Sequence, residues 1–159
     1  MFFQSAYAGT IAIPQASTTA VGVDQVNDFI FWLSVFFTIV VPAVMLFFIV
    51  KYHRSQKGRM TEQHDHSTVI EIIWTVIPFI LMMIIFGWGW VEYKKMKTPA
   101  ANSIEINVLA RQWLWNFQYG NGRQTMNDVV IPLNKPVKFI MTSEDVLHSF
   151  YVPNFRNKQ

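Results

Sequence analysis

Residues 68–91, TVIEIIWTVIPFILMMIIFGWGWV, decide the architecture. The run is apolar throughout except for Glu71 near its start. As a helix rising ~1.5 Å per residue it is ~35 Å long, enough to cross the ~30 Å hydrocarbon core of a bilayer. An earlier run, residues 29–50, is of the same kind and carries no charge. Two such runs joined by a short polar segment predict a transmembrane hairpin, because only backbones that satisfy their own hydrogen bonds persist in lipid. The expected unit is 25–98, with helices at about 28–51 and 68–93 and a loop at 52–67.

Composition agrees. Of 159 residues, 52% are hydrophobic and only 14% charged, a balance that fits a membrane protein with a modest soluble part. The net charge of +3 is small and scattered, which argues against nucleic acid as a partner. The 159 residues hold no cysteine, so they supply neither a disulfide nor a thiolate metal ligand. Residues 1–24 lack a basic flank and helical periodicity and read as an extended N-terminal segment.

No Lys or Arg precedes Lys51, whereas Lys51, Arg54, Lys57 and Arg59 cluster after the first run. That asymmetry puts the loop in the cytoplasm and both termini on the periplasmic side; Lys94, Lys95 and Lys97 argue weakly the other way. Pro42 and Pro78 each remove a helical hydrogen bond, so each helix is expected to bend there. Trp88, Trp90 and Tyr93 read as an aromatic belt at the outer interface.

From Ser103 the period changes to two. Ile104, Ile106, Val108 and Ala110 alternate with polar residues, and Trp113, Trp115, Phe117 and Tyr119 alternate on the opposite parity. One regular strand cannot face both sets the same way, so a bulge or break is expected near residues 110–112. Gly120-Asn121-Gly122 is a turn, followed by strands around 129–131 and 137–141 and an extended piece at 147–153. Residues 99–159 thus predict a small antiparallel β domain.

Three positions are candidates for chemistry. Glu71 is a carboxylate inside a membrane run, a place where charge is costly and marks function. It equally fits a capping box with Thr68 at the start of a helix. Trp113 and Trp115 project from one face of the expected strand, where packing is the plain reading. His148, in SEDVLHSFYVP (143–153), is either a hydrogen-bonded structural histidine or a metal ligand. His64 and His66 read as solvated loop residues.

Taken together, TVIEIIWTVIP (68–78), RQWLW (111–115) and SEDVLHSFYVP (143–153), in this order after a helix hairpin, resemble subunit II of haem-copper cytochrome c oxidase, in a bacterial variant. The resemblance covers almost the whole chain. It implies a two-helix anchor in the bacterial inner (plasma) membrane carrying a periplasmic cupredoxin-like β-barrel, of which 99–159 is the N-terminal part. It further implies a subunit of a terminal respiratory oxidase. Such a subunit accepts electrons from cytochrome c, or a cytochrome c domain, through a dinuclear copper centre (CuA). It passes them to subunit I, whose haem and CuB reduce oxygen to water with proton translocation; subunit III is a further partner. Under the resemblance Glu71 matches a carboxylate at the mouth of a proton-uptake channel, Trp113 the tryptophan where electrons enter, and His148 the first copper ligand.

The remaining copper ligands of that family, two bridging cysteines among them, lie in a later loop of the barrel and are not among residues 1–159. Three readings follow, in order of preference. The first is a copper-carrying subunit whose remaining barrel lies beyond this sequence. The second is one half of a split subunit. The third is a copper-free anchor like that of quinol oxidases.

Overall fold

The computed structural model describes residues 13–53 and 66–159, which fall into two compact units. The first unit is helical and holds all but the first turn of α1 (Thr18–Lys51) and all but the last residues of α2 (Thr68–Lys97), which are 34 and 30 residues long; residues 15–20 and 92–97 belong to the second. Both are long and apolar enough to cross a membrane. Trp32, Ile39, Met45, Trp74, Phe79 and Phe86 are all exposed along them. Helices apolar on every side are stable with that surface in lipid, not in water.

Pro42 and Pro78 both lie inside these helices. A ring contact of 5.9 Å between Phe29 and Trp88 joins the early part of α1 to the late part of α2, as an antiparallel hairpin requires. Charges suit the helix dipoles: Glu71 stands in the first turn of α2, and Lys94, Lys95 and Lys97 in its last. The loop cations Arg54, Lys57 and Arg59, with His64 and residues 1–12, lie outside the described residues.

The helix starts earlier than the hydropathy suggests. α1 begins at Thr18, so the expected extended segment to residue 24 is corrected to helix over its last part. The cause is a cap: Ser17 Oγ accepts the Ala20 N–H at 3.1 Å, which satisfies an amide the helix leaves free. Helix α2 likewise continues to Lys97, past the expected end at 93.

The second unit is a β domain. Its main sheet holds β1 (Ile104–Arg111), β2 (Leu114–Tyr119), β3 (Gln124–Met126) and β4 (Val137–Ser143), in the order β3-β2-β1-β4. A two-stranded ladder, β5 (Tyr151–Val152) with β6 (Asn157–Lys158), brackets a 3₁₀ turn at Pro153–Phe155. Two N-terminal residues of this unit dock on that turn: Ala16 N–H donates to Asn154 O at 2.9 Å, and Ser17 Oγ to Phe155 O at 3.3 Å.

The expected break is a hairpin. β1 and β2 run antiparallel, with Ala110 opposite Trp115, Val108 opposite Phe117 and Ile106 opposite Tyr119. A two-residue connection pairs residues of opposite parity, so the parity switch in the sequence brings both apolar sets to one face. That face is the core. Ile106, Val108 and Phe117 are buried there, flanked by Trp115, Tyr119, Val137, Phe139 and Phe150.

Two strand expectations need correction. β4 pairs with β1 in parallel, not antiparallel, from Ile104–Val137 to Ala110–Ser143. Residues 129–131 form no ladder, although Val129 and Ile131 pack on the core while Val130 points out. Their alternation is that of a strand, but the Val130 N–H bonds the Tyr119 hydroxyl at 2.8 Å instead of a neighbouring backbone.

Candidate functional site

Trp113 sits in the connection between β1 and β2, not on a strand. The expectation that both indoles share a strand face is therefore corrected: Trp113 is 91% exposed, whereas Trp115 lies in the sheet and is half-buried. Asn127, at φ 60°, holds the backbone of Trp115 from both sides. Its Oδ1 accepts the Trp115 N–H at 2.9 Å, and its N–H donates to Trp115 O at 2.8 Å. The Trp115 ring in turn lies 5.3 Å from Phe150 and meets His148 edge-on at 6.0 Å.

Phe150 is the anchor of the His148 loop. Its ring touches those of Trp115, Phe117 and Phe139, with centroids 5.3 to 6.1 Å apart. Two residues earlier, His148 borders an open cavity of about 180 Å³ lined also by Ala110, Trp115, Met141, Ser143 and Leu147. His148 Nε2 donates to Asp145 Oδ1 at 2.6 Å.

Asp145 is the polar centre of this region. Oδ2 accepts the Gln112 N–H at 2.7 Å, and Oδ1 accepts the Val146 N–H at 2.7 Å. These contacts hold its carboxyl far below the usual carboxylate range, the Gln112 N–H contributing most and the His148 ring next. A carboxylate accepts, so the ring donates from Nε2, and Nδ1 is the nitrogen turned to other contacts. The ring is thus set to offer Nδ1 to a metal, oriented by a carboxylate on its other nitrogen. Among the described residues no group of three or more His, Cys, Asp and Glu side chains could hold a metal ion. One imidazole does not fit a two-copper centre by itself.

Glu71, in the helical unit, is half-exposed and pairs with His66 Nδ1 at 2.8 Å. The Thr68 hydroxyl stands 3.0 Å from His66 Nε2, so one ring links Thr68 to Glu71. The capping-box reading of Glu71 gives way to this arrangement: the Glu71 N–H bonds Ser67 O at 3.1 Å, and its carboxylate is engaged by the imidazole. Carboxylate, imidazole and hydroxyl in series can take up and hand on a proton.

Sequence reading passed over two residues. His66 was read as solvated, and only Glu71 five positions on hints at its partner. Asp145 stands in the quoted 143–153 string, but its partner Gln112 is 33 positions away and invisible to local patterns.

A family model described as "Cytochrome C oxidase subunit II, transmembrane domain" matches residues 6–87, and one described as "Cytochrome C oxidase subunit II, periplasmic domain" matches residues 123–159. The "Cytochrome bo(3) ubiquinol oxidase subunit 2" of Buchnera aphidicola subsp. Baizongia pistaciae is 32% identical over 142 residues, covering 82% of this chain and 49% of that relative. The "Probable cytochrome c oxidase subunit 2" of Rickettsia bellii is 26% identical over 163 residues, covering 89% of this chain and 60% of that relative. The "Cytochrome c oxidase subunit 2" of Bacillus sp. (strain PS3) is 35% identical over 109 residues, 63% of this chain and 31% of that relative. The chain spans about half the length of the curated relatives it matches, 49% and 60% for the first two.

Proposed function

Because the chain belongs to the cytochrome c oxidase subunit II family, we propose that it serves in a terminal respiratory oxidase, accepting electrons at Trp113 for delivery to subunit I. The observation that carries this reading is the juxtaposition, in one β domain, of a 91% exposed indole with an imidazole whose Nε2 is fixed by Asp145. An exposed indole gains nothing from burial, so its place at a turn tip suits contact with a partner. Trp113 meets the donor, and His148 supplies one ligand of the dinuclear copper centre; the other ligands come from outside residues 1–159. That centre, when bound, supplies a one-electron store between donor and haem.

In the bilayer, the hairpin holds the β domain on the periplasmic side of a bacterial inner membrane, against subunits I and III. Glu71, near the cytoplasmic end of α2, takes up protons with His66 for oxygen reduction in subunit I.

A second reading has its own support. The Buchnera relative is by name a ubiquinol oxidase subunit. In that reading the chain anchors a copper-free complex and the donor is a quinol.

Copper analysis of the purified complex separates the two. We expect the parent complex to contain copper beyond that of subunit I, and His148→Ala to lose that excess while haem content stays constant. Identical copper content in parent and variant would favour the quinol reading.

A further inference from the structure

We propose that Asp145 is a positioning residue that ties the turn presenting Trp113 to the loop presenting His148, so that one carboxylate sets both groups. The inference rests on the reading of Trp113 and His148 as working residues. The connection between β1 and β2 is Gln112 and Trp113 alone. Two-residue hairpins are normally shaped by Gly, Asn or Asp, and neither position holds one. One side-chain bond from outside the turn reaches its backbone.

That bond is the Gln112 N–H to Asp145 Oδ2, at 2.7 Å. The other oxygen is fully engaged on the opposite side, by Val146 N–H at 2.7 Å and His148 Nε2 at 2.6 Å. Charge-assisted bonds of this length are the strong class, and a carboxylate has lone pairs for all three.

Flanking contacts bring the two segments into register. Glu144 N–H donates to Ala110 O at 3.0 Å, and Arg111 approaches Glu144 at 3.5 Å. Ser143 Oγ reaches Val146 O, closing the 143–146 turn on which Asp145 rides. Trp113, being 91% exposed, takes little orientation from packing, so the backbone of its turn decides where the indole stands. Displacement of the Asp145 carboxylate would release the indole turn and the imidazole together.

The test is hydrogen–deuterium exchange on the assembled complex, comparing the parent with Asp145→Asn and Asp145→Ala. The amide variant keeps the volume but only one acceptor oxygen, so at least one of the three bonds is lost. We expect exchange in 110–116 to quicken about tenfold or more in Asp145→Ala and less in Asp145→Asn, with 104–109 and 137–142 unchanged. Unchanged exchange in 110–116, or equal acceleration over the whole sheet, would overturn the proposal. Where Asp145→Ala fails to assemble, Asp145→Asn decides by the same comparison.

A double-mutant cycle on donor oxidation supplies the second readout. Asp145→Asn should lower kcat/KM in the parent and have little further effect when combined with Trp113→Phe. Additive losses would overturn the positioning of Trp113. If exchange quickens while Trp113→Phe alone leaves donor oxidation unchanged, the electron-accepting reading of Trp113 fails and the tie itself stands.

Discussion

A carboxylate near the end of a membrane helix is costly unless it is paired, and Glu71, half-exposed, is bonded to His66. An exposed pair of this kind contributes ~0–1 kcal/mol, too little to be held for stability. Glu71→Ala is therefore expected to leave assembly and copper content unchanged and to slow proton-coupled turnover about tenfold, ~1.4 kcal/mol in barrier. Steady-state oxygen uptake checks this, and unaltered turnover would reduce Glu71 to a helix-end charge. Glu71 was visible in the sequence because a charge stands out from an apolar run, whereas the exposure of Trp113 was not. Nor were bonding partners visible. His66 lies too close to Glu71 to look like more than loop, and the Gln112 backbone amide has no signature at all.

Among the elements, the β1–β2 hairpin holds the core of the β domain. Ile106, Val108 and Phe117 are the fully enclosed side chains of its face, and Phe117 touches Phe150, which anchors the His148 loop. Truncating such an aromatic costs ~3–5 kcal/mol, comparable to the whole stability of a small domain. Phe117→Ala should therefore expose the β domain to added protease in membrane preparations while the helices stay protected. Equal resistance in parent and variant would mean the core lies elsewhere.

The alternation of apolar residues was legible in 104–119, and it gave the right face for Ile106, Val108, Ala110 and Phe117, though not for Trp113. The hairpin was not legible, because its turn lacks the Gly and Asn that mark two-residue connections. The three-residue β3 is too short for any periodic signal. The parallel pairing of β4 follows from a crossover whose direction local sequence does not encode. At α1, Ser17 was a readable cap, overlooked because the Thr-rich turn after it shows no apolar period.

At the scale of the molecule, hydropathy settles most. Two runs of membrane-crossing length are unmistakable in the sequence and appear as α1 and α2, while the change from helical to alternating period marks the β domain. The family model for the transmembrane part matches 6–87 and that for the periplasmic part 123–159, in the same order. The functional division follows this layout. In the function we propose, protons are taken up at the start of α2 and electrons are accepted in the β domain.

The most direct test of that account is stopped-flow reduction of the purified complex by reduced cytochrome c, comparing the parent with Trp113→Phe. Phenylalanine keeps a ring at the turn tip but removes the indole, so folding and haem content should hold. The account predicts electron uptake about tenfold slower or worse in the variant, with ubiquinol ineffective as a donor to either protein. Equal rates in parent and variant, or rapid reduction by ubiquinol, would contradict it.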